Sequence, residues 1–234
     1  MRSKTLFAFV LMVVATTVMA GDKPVLAVNE FKNETSAGWW YGGAGRDLAD
    51  MLTNELQATG KFKMVEREKL AAVLDEQDLA DSGRIKKGTG AKIGKLTGAK
   101  YIVTGSLSAY EEDVASTGGG LSFRGISVGG KKESAYLAVD LRVIDTTTGE
   151  IEFTRTVEGR ASGGGVAVGL YRGGFGGNLA KQNKTPAGKA IRAAIVEISD
   201  YLSCAMVDKG DCMAEYNQKE SSRREKTKKA IKLD

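Results

Sequence analysis

The chain has 234 residues, 42% apolar and 27% charged, with two cysteines, two prolines and no histidine. That apolar content suffices for one buried core with appendages. The missing histidine excludes Ser-His-Asp and Cys-His nucleophile systems and histidine metal sites.

The chain opens on Arg2 and Lys4, an apolar run from Leu6 to Val18, and the small-residue box Val18-Met19-Ala20. This pattern predicts a signal peptide over 1–20 and a mature chain from Gly21. The apolar run is shorter than the ~20 residues of a membrane-spanning helix, although an uncleaved anchor is the alternative. A lipoprotein requires a cysteine just after the box. Gly21 stands there, and the first cysteine is Cys204. The mature protein is therefore expected to be exported and not lipidated.

Without Arg2 and Lys4 the formal charge falls from +5 to +3. The tail 219–234 has seven basic and three acidic residues, so the body is near −1. The basic character belongs to the tail and gives no nucleic-acid-binding face. The tail itself reads as a solvated, disordered end, with a hook for anionic lipid or a partner as the alternative.

Val25 to Phe31 is apolar and β-prone and predicts a buried strand. The loop from Asn33 to Gly45 carries both tryptophans, Trp39 and Trp40, beside Tyr41. Two readings stand equal: a loop folded onto the core, or large rigid aromatics displayed for contact or for narrowing a passage. Leu48, Met51, Leu52 and Leu56 space as one helix face ending near Gly60. Lys61 to Val65 predicts a short strand. Glu68 to Ala80 predicts a helix with Leu70, Val73 and Leu74 inward, and Ala91 to Leu96 a short third helix.

Tyr101 to Ala161 organises the rest. Tyr101–Tyr110, Ser134–Ile144 and Ile151–Val157 are strand-like, and Leu137, Val139, Leu141 and Val143 alternate with other residues at period two. Thr146-Thr147-Thr148-Gly149 predicts a hairpin turn between the last two. Between the first two lies Ser116 to Lys131, with six glycines and with Leu121, Phe123, Ile126 and Val128 spread through it. The change of parity after Phe123 suggests a turn or bulge near Arg124-Gly125. In the second glycine-rich stretch Val166, Val168 and Leu170 alternate with Ala167, Gly169 and Tyr171. The predicted class is an α+β or α/β sandwich with a mixed sheet and flanking helices.

Thr185-Pro186 predicts the capped start of the last strong helix. Its apolar stripe runs through Ile191, Ala194, Ile195, Ile198, Leu202 and Met206, with Gly210 as a stop. Cys204 and Cys212 flank that stop. In an oxidising compartment they can pair, with two free thiols as the alternative.

Nucleotide motifs fail. In Gly88-Thr89-Gly90-Ala91-Lys92-Ile93-Gly94-Lys95 only three residues separate Gly90 from Gly94, and Leu96 follows Lys95, where a phosphate loop needs Ser or Thr. Asp75, Glu76, Asp78 and Asp81 lie on a charged helix face and show no acid-base signature.

The chain resembles the CsgG family, the secretion channels of curli biogenesis and their holdfast-anchoring relatives. The likeness rests on VLAVNEFKNET, GKFKMVEREKLAAVLDEQ, TGAKYIVTGSLSAYE, YLAVDLRVIDTTTGEI and GVAVGLYR, in that order. It implies a periplasmic domain over 21–218 that assembles into a homo-oligomeric ring. Each protomer would lend two hairpins, at 116–136 and 160–180, to one shared outer-membrane β-barrel. Leu121, Phe123, Val166, Val168 and Leu170 would face lipid. Trp39, Trp40 and Tyr41 would occupy the constriction loop. The partners implied are an unfolded secreted substrate and accessory assembly proteins. The resemblance implies no enzyme activity and no cofactor. Two functions follow: a secretion channel, or a periplasmic assembly or anchoring component with the same domain and no pore.

Overall fold

The computed structural model describes residues 22–116, 121–123, 126–128, 131–162 and 185–230. Its strands are β1 (Val25–Val28), β2 (Lys32–Asn33), β3 (Lys63–Met64), β4 (Tyr101–Ser116), β5 (Leu121–Phe123), β6 (Ile126–Val128), β7 (Lys131–Asp145) and β8 (Ile151–Ser162). Its helices are α1 (Ala44–Thr59), α2 (Leu70–Asp81), α3 (Pro186–Ser203) and α4 (Cys212–Ala230), with one π-helical stretch, Cys204–Asp208, joining the last two. The main sheet is open and mixed, ordered β3-β1-β4-β7-β8, with β2 also on β4. β1 runs parallel to β3 and β4, whereas β4, β7 and β8 form an antiparallel ladder. Parallel neighbours need crossover connections, and α1 and α2 lie in them.

Helices α1 and α3 pack side by side on one face. Gly60, at φ 67°, ends α1 in the left-handed conformation that glycine adopts without strain. Thr185 Oγ1 accepts from the Gly188 N–H at 3.0 Å and caps α3, with Pro186 in its first turn. Under these helices Leu52, Leu56, Leu137, Leu141, Val143, Ile198 and Leu202 are buried. A one-residue slip of β7 would turn Leu137, Leu141 and Val143 to the other face. At about 1.5–3 kcal/mol for each buried side chain, that cost holds the register. The Asp145 carboxylate accepts from the Thr147 and Thr148 N–H groups at 2.7 and 3.3 Å and shapes the β7–β8 turn. Those bonds, Thr147 foremost, hold its carboxyl below the usual range.

Three expectations are corrected. No helix forms at 91–96: Gly88 and Gly94 take φ 86° and 74°, and the run between glycines is too short to nucleate one. Helix α2 forms, but Val73 and Leu74 are exposed and Gln77 is its buried residue. Among the described residues no strand or helix covers Val73 and Leu74. The basic tail is helical as far as Ala230, so a boundary at 218 falls inside α4. Strong helix formers and the pairs Glu215–Lys219 and Glu220–Arg223 support it.

Candidate functional site

The longest feature of the sheet is the β4-β7-β8 ladder. Tyr101 faces Asp145 at its inner end and Ser116 faces Lys131 at its outer end. The 16 residues of β4 span about 50 Å at the usual rise per residue. The ladder shifts register between Leu107 and Ala109, which sets Tyr110 opposite Leu137 on the core side. β8 accompanies β7 outward until Ser162 faces Ser134. Beyond lies the small hairpin of β5 and β6, where Leu121 pairs with Val128 and Phe123 with Ile126. The parity change read in the sequence is thus the two arms of one hairpin. Arg124 and Gly125 lie outside the described residues, as do Val166, Val168 and Leu170.

The aromatic loop lies back against the domain. Its start is tied by the Glu34 N–H to the Leu107 carbonyl at 2.9 Å and by the Thr35 N–H to Asn33 Oδ1 at 2.8 Å. Trp39 packs against the core and lines a small void there with Phe31, Leu48, Leu107, Leu137 and Ile191. Its ring meets Tyr110 edge-on at 5.8 Å and Trp40 at 5.4 Å. Tyr41 OH donates to Asp47 Oδ2 at the start of α1. All three aromatics pack half-buried against the core, and the Trp39 indole nitrogen is itself buried. The Trp39 Nε1 has no hydrogen-bond partner among the described residues. Such an orphan donor costs about 1–3 kcal/mol, so burial of the ring must outweigh it. Trp39→Ala should lower stability by about 3 kcal/mol, the low end for truncating an aromatic because the ring is half-buried, read from the urea midpoint of the mature protein. An unchanged midpoint would show that the ring is not held.

The sequence reading missed Tyr110 as the partner of Trp39. Burial raises the Tyr110 phenol well above its ordinary value, and its hydrogen bond to Glu112 adds to this. It also missed Arg155, which faces Leu141 across the ladder, between Phe153 and Val157 in strand parity. An arginine in an apolar parity was the available signal. Its guanidinium lies 4.9 Å from the rings of both Tyr201 and Tyr216 and donates to the Tyr216 carbonyl at 2.7 Å.

Cys204 and Cys212 are bonded, with Cα atoms 6.0 Å apart. The bond closes the turn between α3 and α4. With a sequence separation of 8 it should contribute about 2–3 kcal/mol by limiting the unfolded chain. The double variant Cys204→Ser/Cys212→Ser should lose that amount in urea, and the parent should resist thiol labelling until reduced. Full labelling without reductant would refute the bond.

Among the described residues no helix is long and apolar enough to cross a membrane. That does not bear on spanning by β-strands. A family model described as "Curli production assembly/transport component CsgG" matches residues 10–231. The chain belongs to the CsgG family. The curli production assembly/transport component CsgG of Salmonella typhimurium is 31% identical over 105 residues, which cover 43% of this chain and 38% of that protein's length. The chain thus spans less than half of the curated curli relatives it matches. A Neisseria meningitidis serogroup B protein named as a lipoprotein (NMB1126/NMB1164) is 30% identical over 198 residues, covering 81% of this chain and 79% of that one. Among solved structures, the hypothetical protein CT253 of Chlamydia trachomatis superposes with a TM-score of 0.46 at 14% identity, covering 80% of this chain and 99% of its own.

Proposed function

We propose that this CsgG-family protein is an oligomeric outer-membrane secretion channel of the curli type, exporting fibre or adhesin subunits through a non-enzymatic pore. The observation that carries the reading is the ladder with two free edges. Among the described residues, β4 beyond Ala109 has β7 on one side only, and β8 likewise has only β7. Free edges are a liability for a lone exported chain and are unacceptable in lipid, where each unpaired backbone group costs several kcal/mol. Head-to-tail pairing of copies around a closed ring removes both edges at once. The envelope of a Gram-negative-type cell suits the CsgG and lipoprotein relatives and the predicted signal peptide. The exported chain would arrive unfolded, with accessory assembly proteins presenting it.

All three loop aromatics are half-buried against the core; the Trp39 indole nitrogen is itself buried and Tyr41 is tied to Asp47, so Trp40 is the residue assigned to a central passage. The test is detergent extraction of the mature protein, particle imaging, and conductance in planar bilayers. Rings with a barrel and unitary conductance are expected, and Trp40→Ala should raise that conductance without altering assembly. A monomer that stays in solution without detergent would replace the channel with the periplasmic assembly or anchoring role. The packing of all three aromatics against the core is the observation on that side.

A further inference from the structure

We propose that the basic end of α4 receives the acidic step Glu111-Glu112 on β4 of the neighbouring copy; this contact rests on the ring proposed above and names the surfaces that meet in it. The charges of β4 are Glu111, Glu112 and Asp113, all in its outer half. They follow Ala109, past the point where β2 pairs with β4, so they stand on a free edge. Glu111 and Glu112 are exposed. Glu112 accepts from the Tyr110 hydroxyl at 2.7 Å, and neither carboxylate forms an ion pair among the described residues.

The opposite flank carries the other sign. Arg224, Lys226, Lys228 and Lys229 of α4 are exposed and form no ion pair among the described residues. The Arg155 guanidinium donates to the Tyr216 carbonyl, so β8 and α4 set out side by side. From Arg155 to Arg160 the strand advances about 17 Å, and from Tyr216 to Lys226 the helix advances about 15 Å. Arg160 and Lys226 therefore come level, and both line the groove of about 740 Å³ between β8 and α4. Lys229 follows Lys226 at helical spacing, one turn further out. Across the ladder Arg160 faces Tyr136, and Tyr136 faces Glu111. Glu111 thus stands on the same rung as Arg160, at the other free edge.

A ring that joins the β8 edge to the β4 edge of the next copy lays that β4 along α4. Glu111 of the neighbouring copy then arrives beside Lys226, and a small stagger between copies carries it toward Lys229. One exposed ion pair stabilises little. Its weight here lies in selection, because like charges brought together at a joint oppose it and the joint recurs in every copy. An acidic β4 edge is repelled by a second β4 edge, so the charges favour the head-to-tail joint, the one that closes a ring.

The test is reversal and exchange of charge in the full mature, oxidised protein in detergent, read by sedimentation velocity over a dilution series. Glu111→Lys/Glu112→Lys and Lys226→Glu/Lys229→Glu should each raise the concentration at half assembly about tenfold or more, since every joint then sets like charge against like. An equimolar mixture of the two should assemble like the parent, because each altered surface meets its complement on the other variant. The chain carrying all four substitutions should do the same alone. Where circular dichroism shows that a reversed pair does not fold, Glu111→Gln/Glu112→Gln or Lys226→Gln/Lys229→Gln takes its place, with an expected rise of about threefold or more. A parent that forms rings, with variants that assemble equally well, overturns the contact and leaves the ring standing. Weakened assembly that the mixture does not restore likewise overturns the contact alone. A parent that stays monomeric overturns the ring and the contact with it.

Discussion

Val168→Arg is expected to keep the protein out of the outer membrane while its domain still folds. Val168 alternates with small residues in the second glycine-rich stretch, as a lipid-facing position of a barrel strand does. An arginine at the bilayer midplane costs about 2–4 kcal/mol per protomer. In a symmetric ring the penalty recurs in every copy, so insertion of the assembly fails as a whole. Thr148→Arg, in the exposed β7–β8 turn, adds the same charge away from the hairpins and should leave fractionation unchanged. The measurement is membrane fractionation of both variants beside the parent, with circular dichroism of the purified proteins. If the Val168→Arg protein sediments with membranes like its parent, this stretch does not face lipid. If it fails to fold, the stretch belongs to the core.

The sheet and its two covering helices were legible in the sequence because local pattern and tertiary burial agree there. Leu137 to Val143 alternate at period two and are buried against α3, whose stripe repeats at helical spacing. The cap at Thr185 and the stop at Gly60 are short-range chemistry and need no partner. The misses share a cause: each depended on a distant neighbour or on its absence. Leu70, Val73 and Leu74 have helical spacing, but among the described residues no strand or helix covers the Val73–Leu74 side of α2, so Leu74 is 43% exposed. Ala91 to Leu96 has helix formers, yet the backbone at Gly94 turns left-handed. For the aromatic loop, the choice between covered and displayed rests on Tyr110, which reaches Trp39 only once the register shift in β4 has turned it to the core side. The basic tail was read from its charge, whereas alternating acidic and basic residues at helical spacing let that charge pair with itself along α4.

Gly159→Val is expected to be the most damaging single substitution in the strand ladder. Gly159 faces Leu137, at the level where β8 passes out from under α3. A Cβ there would stand 2.1 Å from the Ala190 carbonyl oxygen and 3.1 Å from Ala194 Cβ. The first contact is helix backbone, so no rotamer change relieves it, and α3 must lift from the sheet. Overpacking ordinarily costs about 1–3 kcal/mol. A backbone clash should reach ~3 kcal/mol or more, a large share of the 5–15 kcal/mol that holds a domain together. Valine's own strand preference favours the substitution locally and cannot compensate. Gly98→Ala is the comparison, because a Cβ at Gly98 meets nothing within 4 Å. Urea midpoints decide between them. A Gly159→Val midpoint far below that of Gly98→Ala shows that α3 rests directly on β8 and fixes the base from which the ladder extends. Equal midpoints would mean that the helix can slide, and the ladder would then extend from a base that is not rigid.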